Sequence, residues 1–187
     1  ISAAIIEKYK IRDGVDFADL DVSPDTPERQ SKNEHISELN IPRIPDDVHI
    51  RGYQNDAIDN WAKNGYRGIF DMATGTGKTY TALAAICRLS DAVEHNLAVI
   101  IVCPYQHLVE QWKDDITAFG LRPIVCYSSS SQKNWKDRVK NSVSGFRHGA
   151  VSRFCIVTTN ATFATPFFQG QIRRLQGNCL IVVDEAH

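Results

Sequence analysis

A glycine-rich hexapeptide at residues 74–79, TGTGKT, contains the residue types that bind a triphosphate. Glycines let consecutive backbone N–H groups point at phosphate oxygens, and a helix that starts there adds its positive dipole end. Lys78 can reach the β and γ phosphates, and the Thr79 hydroxyl can ligate Mg²⁺. The strict pattern GxxxxGK(S/T) is not met, because Met72 occupies the first glycine position. We predict a phosphate-binding loop; the alternative is a glycine–threonine turn that happens to end in lysine.

A second chemical feature is the run CLIVVDEAH at residues 179–187, an apolar segment that ends in two carboxylates. Ligands of open α/β sheets bind at the carboxyl ends of strands, where Asp184 and Glu185 would lie. Asp184 would hold Mg²⁺, and Glu185 would orient or polarise the attacking water, because positioning and charge neutralisation dominate phosphoryl transfer. A solvated acidic turn is the alternative for this run taken alone. With the loop at 74–79, the pair predicts Mg²⁺-dependent phosphoryl transfer.

Both features require a sheet to position them, and the apolar pattern predicts one. An amphipathic helix begins at Arg51 and ends near Gly65. Apolar runs without in–out alternation then alternate with helical stretches, which is typical of a doubly wound parallel α/β sheet covered on both faces. The predicted strands are 68–72, 98–103, 123–127, 154–158 and 180–183, and the predicted helices are 78–90, 105–119, 132–144 and 161–176.

Length and charge divide the 187 residues into an arm and a domain. Residues 1–48 are rich in Asp and Pro and predict an extended or helical arm or linker, with residues 1–12 read as a helix. Residues 49–187 form the predicted domain. Residues 1–50 carry 6 Lys/Arg and 11 Asp/Glu, a net charge of −5, whereas residues 51–187 carry 15 and 11, a net of +4. The chain is therefore not a polycation that coats nucleic acid without selectivity.

Several classes of protein are excluded by composition. The longest apolar run, Leu97–Cys103, is far shorter than the roughly 20 residues of a transmembrane helix. The five cysteines form no CxxC pair and the six histidines show no metal-ligand spacing, which argues against zinc. We expect buried cysteines in a reducing, cytoplasmic compartment. Because the chain begins with Ile and lacks a basic signal region, we expect it to be a piece of a longer protein.

Residues 133–153 carry a local positive charge, with six Lys/Arg against Asp137 alone. The apolar residues Trp135, Val139 and Val143 predict the buried stripe of a helix whose outer face carries Lys133, Lys136 and Lys140. A solvated helix face is one interpretation. Contact with nucleic-acid phosphates is the other, and it predicts salt-dependent binding.

The motifs resemble those of superfamily 2 helicases and translocases, most closely the DNA-directed, ResIII-like DEAD/DEAH group related to type III restriction enzymes. MATGTGKT at 72–79 and DEAH at 184–187 resemble motifs I and II. RGYQ at 51–54 resembles the adenine-reading Q motif, VCPYQHLVEQW at 102–112 resembles motif Ia, and IVTTNAT at 156–162 resembles the segment after motif Ib. The resemblance spans residues 50–187 and implies a RecA-like P-loop domain.

The resemblance also implies roles for individual residues. Gln54 would read the adenine edge with Arg51 as a helper, and His187 would couple the nucleotide state to a partner domain. Thr79 and Asp184 would bind Mg²⁺. The triphosphate would lie on Thr74, Gly75, Thr76, Gly77, Lys78 and Thr79, and the nucleic-acid backbone on Pro104, Tyr105, Gln106, Thr158 and Thr159. Many relatives have Thr-Arg in place of Tyr105 and Gln106, and ordinary loops that cap strands remain the alternative for both nucleic-acid segments.

These implications lead to one expected function and two alternatives. We expect the first motor domain of an ATP-dependent DNA helicase or translocase from a restriction or repair system. The sequence ends with motif II, so the RecA-like domain is expected to be incomplete and nearly inactive without a second RecA-like domain. An upstream nuclease or targeting domain is expected. The alternatives are an RNA helicase, whose P-loop usually has the form GxTGSGK(S/T), and a nucleotide-gated binding module without motor activity.

Overall fold

The computed structural model describes residues 3–10, 40–73 and 75–185. Within these ranges, short strands alternate with helices along the chain. In chain order the elements are β1 Ala3–Lys10, α1 Gly52–Lys63, β2 Arg67–Asp71, α2 Lys78–Ala92, β3 Leu97–Cys103, α3 Gln106–Ala118, β4 Ile124–Cys126, α4 Trp135–Arg147, β5 Arg153–Thr159, α5 Asn160–Phe163, α6 Pro166–Ile172 and β6 Asn178–Val183. This order confirms the predicted α/β class.

The six strands form one sheet in the order β2-β1-β6-β3-β5-β4. Strands β6, β3, β5 and β4 are parallel to one another, as the pattern predicts. Strand β1 lies between β2 and β6 and is antiparallel to both. The helix predicted over residues 1–12 is therefore wrong for residues 3–10, which pair with strands more than 50 residues away in sequence. The sheet is mixed, and β2 still runs in the same direction as β6.

Helices cover the sheet on both faces, as a doubly wound fold requires. All seven residues of β3 are buried, and they alternate between two hydrophobic clusters. Residues 97, 99, 101 and 103 pack with the apolar sides of α1, α2 and α3, whereas residues 98, 100 and 102 pack with α4 and α6. Burial on both faces explains why β3 is apolar at every position.

The helix predicted over residues 161–176 is wrong, because two short helices occupy that segment. Pro166 cannot donate a helical hydrogen bond, so it is placed in the first turn of α6. The Thr165 hydroxyl oxygen accepts a hydrogen bond from the Phe168 N–H at 3.3 Å, which caps α6 and separates it from α5. Asn160, the first residue of α5, is exposed at the end of β5.

The five cysteines are all buried as free thiols, which confirms their prediction as small apolar residues. Burial raises the pKa of Cys155 and of Cys179 to about 12. Among the described residues, no helix is both long and apolar enough to cross a bilayer.

Candidate nucleotide-binding cleft

The predicted phosphate-binding loop lies between β2 and α2, at the carboxyl end of β2. Gly75 and Gly77 have φ angles of 79° and 83°, in the left-handed region that favours glycine. A Cβ atom at Gly77 would lie 2.9 Å from Nε2 of Gln54, so the Gln54 amide would have to move to make room for a side chain there. α2 begins immediately afterwards at Lys78, and its first N–H groups have no helical carbonyl partner. The structure therefore has a glycine turn that leads directly into a helix N-terminus, the kind of geometry that can bind phosphate.

Two hydrogen bonds hold the middle of this loop at Thr76. The Thr76 hydroxyl donates to the carbonyl oxygen of Ala73 at 2.6 Å. The Tyr53 hydroxyl donates to the carbonyl oxygen of Thr76 at 2.7 Å. Tyr53 belongs to α1, so the helix that precedes β2 fixes the shape of the loop that follows it.

Gln54 lies behind the loop, with only 4% of its surface exposed. Its Nε2 donates to the Thr81 hydroxyl oxygen at 2.9 Å and to the Gly77 carbonyl oxygen at 3.2 Å. Its Oε1 accepts from the backbone N–H of Arg51 at 2.8 Å. The amide expected to read adenine is thus engaged by the protein at both ends, and Arg51 contributes a backbone group to the same network.

One cleft of about 500 Å³ contains both predicted chemical features. The loop contributes Gly75, Gly77, Lys78 and Thr79, and the turn after β6 contributes Asp184 and Glu185. Two sequence segments more than 100 residues apart therefore face the same space. A cleft of this volume is within the range that small-molecule sites occupy, and its carboxylate and hydroxyl oxygens are donors suited to Mg²⁺. The residues present fit a Mg²⁺-nucleotide.

The carboxylate of Asp184 is held at both oxygens. The Trp112 indole N–H donates to Oδ2 at 2.8 Å, and the Glu185 backbone N–H donates to Oδ1 at 3.0 Å. The Asp184 N–H donates to the Val102 carbonyl oxygen at 2.9 Å, which continues the pairing of β6 with β3. Glu185 has a φ angle of 51°, an uncommon conformation for a residue with a side chain. Strain of this kind is found at functional sites.

Sequence reasoning missed the wall of the cleft that α3 provides. Leu108, Gln111, Trp112 and Asp115 line it, together with Tyr80 from the first turn of α2. Burial raises the pKa of the Asp115 carboxyl, and the neighbouring charge of Asp114 adds to the effect. The available signal was the 3–4 residue spacing of Leu108, Trp112 and Asp115, which puts a carboxylate on the apolar face of a helix.

The loop after β3 is exposed, as its predicted nucleic-acid role requires. Tyr105 has 60% of its surface exposed, and its ring stacks on His107 at 5.6 Å between centroids. Gln106 is exposed and accepts a hydrogen bond from the Ser129 hydroxyl at 3.1 Å, while Pro104 is partly buried. This loop leaves an aromatic face and an amide available to a ligand.

The two threonines predicted to face nucleic acid point inward instead. Thr158 is fully buried, and its hydroxyl donates to the Cys126 carbonyl oxygen at 2.7 Å. The Thr159 hydroxyl oxygen accepts from the Thr162 N–H at 3.2 Å and caps α5. Because both hydroxyls are used inside the fold, their side chains do not support the predicted backbone contact. Asn160, the next residue, is the exposed group at this strand end.

Comparison with protein families gives a match to the model described as "Type III restriction enzyme, res subunit" over residues 47–187. The match covers most of the chain and includes the whole cleft. The chain belongs to this family. It is a ResIII-like domain of superfamily 2, with the fold of a first RecA-like domain, as the motifs imply.

Two curated relatives are similar to parts of this ResIII-like domain. "DNA 3'-5' translocase XPB2" from Sulfurisphaera tokodaii is 36% identical over 84 residues, which are 45% of this chain and 18% of the relative. The "General transcription and DNA repair factor IIH helicase/translocase subunit XPB" from Enterocytozoon bieneusi is 32% identical over 116 residues, 59% of this chain and 18% of the relative. The matches thus span less than a fifth of each relative's length.

The ResIII-like domain carries its basic helix on the layer opposite the cleft. In α4, Trp135, Val139 and Val143 are buried and Lys133, Lys136 and Lys140 are exposed at or beside it, as predicted. The Lys136 ammonium lies 5.8 Å from the ring centroid of Phe167, which belongs to α6. The exposed lysine side of α4 therefore lies next to α6.

Two predicted site residues, Thr74 and His187, lie outside the described residues.

Proposed function

We propose that this ResIII-like domain is the ATP- and Mg²⁺-binding motor domain of an ATP-dependent DNA helicase or translocase. The observation that carries the proposal is the meeting of the phosphate-binding loop with Asp184 and Glu185 in one cleft. A motor of this class must bind a triphosphate, place a metal beside it and align a water, and the cleft contains groups for each task.

In this proposal the groups divide the chemistry among them. Lys78 and the backbone of the loop bind the phosphates, and Thr79 and Asp184 hold Mg²⁺. Bound Mg²⁺ neutralises the charge that develops on the phosphate oxygens. Glu185 orients the attacking water, and its backbone N–H keeps Asp184 Oδ1 in place at 3.0 Å. Gln54 supports the loop from behind through the Gly77 carbonyl and the Thr81 hydroxyl.

We further propose that rapid turnover depends on a second RecA-like domain. The cleft is only partly enclosed. In comparable phosphate-transferring sites an arginine supplied from across the cleft raises the rate by about 10³–10⁵. Binding of nucleotide is therefore the activity to test first on the 187-residue chain, because the groups proposed to bind it line one cleft.

DNA is the proposed nucleic-acid substrate, because one relative is named as a DNA translocase and the other as a helicase/translocase subunit of a DNA repair factor. The exposed loop of Tyr105 and Gln106 is the proposed contact at the carboxyl edge of the sheet. Thr158 and Thr159 are left out of this contact because their hydroxyls are used inside the fold.

The proposal is tested by calorimetry of ATP·Mg²⁺ binding to the wild-type chain and to Lys78→Ala. We expect the variant to lose about tenfold in affinity or more, which is ~1.4 kcal/mol, because the ammonium no longer pairs with the phosphates. The matched control is Lys140→Ala, an exposed lysine on the opposite layer, which should bind as the wild type does. Equal binding by the wild type and Lys78→Ala would show that the loop is not the phosphate cradle.

A further inference from the structure

Trp112 joins α3 to Asp184, in the turn after β6, by one hydrogen bond. Its Nε1 lies 2.8 Å from Oδ2 of Asp184, and the indole has only 2% of its surface exposed. A buried N–H donor needs a partner, because an unpaired one has lost its hydrogen bonds to water without replacement. Asp184 is that partner, so the bond constrains the carboxylate as well as the indole.

The bond determines which lone pairs of Asp184 remain available. Each carboxylate oxygen has two acceptor sites, and one on each oxygen is already used by Trp112 and by the Glu185 N–H. Two fixed donors define the rotation of the carboxylate plane. The Asp184 carboxylate lines the cleft together with Lys78 and Thr79, and its other lone pairs remain available there.

We propose that Trp112 is a positioning residue for the metal site: its indole N–H fixes the Asp184 carboxylate in the orientation that binds Mg²⁺. This inference rests on the proposed function, since it assumes that Asp184 ligates the metal of a Mg²⁺-nucleotide. It assigns to α3 an indirect role at the metal, which acts through Asp184 and comes from a residue that the apolar pattern of the helix would place in the core alone.

The first test uses Trp112→Phe, which keeps an aromatic ring in the core and removes the N–H donor. Binding of methylanthraniloyl-ATP is followed by anisotropy, without Mg²⁺ and during a Mg²⁺ titration. We expect metal-free affinity to stay within about twofold and the Mg²⁺ concentration for half-saturation to rise about tenfold, as for other groups that orient metal ligands. A purely structural role would change both measurements together.

Two variants control this test. Trp135→Phe removes another buried indole, in the cluster on the opposite face of the sheet, and should leave the Mg²⁺ requirement unchanged. Asp184→Asn removes the proposed metal ligand, and adding Trp112→Phe to it should then have no further effect on the Mg²⁺ requirement. An unchanged Mg²⁺ requirement in folded Trp112→Phe, or effects that simply add in the double variant, would overturn the proposal.

The second test does not depend on nucleotide or on the folding of a Trp112 variant. The chain has three tryptophans, so ¹⁵N-indole labelling gives three N–H resonances. Mn²⁺ should broaden the resonance of Trp112 before those of Trp61 and Trp135, and Asp184→Asn should remove this difference. Equal broadening of all three would overturn the proposal. The wild-type chain could fail to bind ATP and still show selective broadening of the Trp112 resonance by Mn²⁺. That result would count against the proposed function and support the metal site at Asp184.

Discussion

Gln54 shows how a single side chain can be committed to the protein before any ligand arrives. Its amide joins three parts of the site: the backbone of Arg51, the Gly77 carbonyl and the Thr81 hydroxyl. Glycine at position 77 is what allows this approach, since a Cβ there would lie 2.9 Å from the amide nitrogen. The geometry favours a residue that supports the loop over one that only recognises adenine.

Replacing Gln54 by Ala should therefore weaken ATP and GTP binding by a similar factor, about fivefold for each ~1 kcal/mol of lost hydrogen bonding. A residue that only reads adenine would change ATP binding alone. The measurement is calorimetry with both nucleotides. Gln176→Ala, an exposed glutamine in the loop before β6, is the control and should leave both affinities unchanged.

At the scale of elements, α3 is fastened to the end of β4 by a charged hydrogen-bond cluster. Glu110 accepts hydrogen bonds from the Lys113 ammonium at 2.8 Å and from the Tyr127 hydroxyl at 2.6 Å. The Lys113 bond and then the Tyr127 bond lower the pKa of Glu110, because both favour the ionised carboxylate. The cluster holds the helix that forms one wall of the cleft.

This cluster predicts part of the acid sensitivity of the fold. A lowered pKa in the folded state stabilises the protein above the ordinary Glu pKa of about 4.3, and the contribution is lost as the pH falls through the lowered value. Glu110→Gln should thus lose less stability than wild type between pH 7 and about pH 3 in urea unfolding. Tyr127→Phe, which removes one donor, should fall between them. Equal losses in all three proteins would contradict the prediction.

The elements also show how far sequence reasoning reaches. β3 was predictable because it is buried on both faces, and the turn between β2 and α2 because its glycines have a regular spacing before a helix. β1 was not, since its partners β2 and β6 are distant in sequence and its pairing is a long-range event. The contact of Trp112 with Asp184 was hidden because a tryptophan at helical spacing reads as core. The inward turn of Thr158 depends on strand register.

At the scale of the whole molecule, charge is separated along the chain. Residues 133–174 carry eight Lys/Arg and only Asp137 as an acid, a net of +7, although the complete chain has a net charge of −1. The helices of this segment, α4 and α6, pack on the same cluster, on the face of the sheet opposite α1, α2 and α3. The cationic side chains of α4 therefore lie on the layer opposite the cleft.

Exchanging Lys133, Lys136 and Lys140 for Gln should reduce the salt dependence of duplex DNA binding. The slope of log K against log salt is negative, and each lost phosphate contact reduces its magnitude by about 0.9. Losing all three contacts would reduce the magnitude by up to about 2.7. The measurement is anisotropy of labelled DNA at several salt concentrations, with single-stranded RNA as a competitor to compare the two polymers.

The control for this experiment is a triple Gln variant of Lys63, Arg67 and Arg122, three exposed cations outside the basic segment. It should leave the slope close to that of the wild type. An unchanged slope in the variant of Lys133, Lys136 and Lys140 would show that these lysines form a solvated helix face, which is the alternative left open by the sequence.

The helix α3 begins beside Tyr105 and carries Trp112, whose indole touches Asp184. From Gln106 to Trp112 the rise of an α-helix is only about 9 Å, so a loop that moves on binding DNA would move the indole with it. Equilibrium binding is reciprocal: if DNA changes the affinity for Mg²⁺-ATP by some factor, Mg²⁺-ATP changes the affinity for DNA by the same factor. A single coupling free energy would then link the binding of DNA to the binding of Mg²⁺-ATP. Trp112→Phe would reduce the effect of each ligand on the affinity for the other by the same factor.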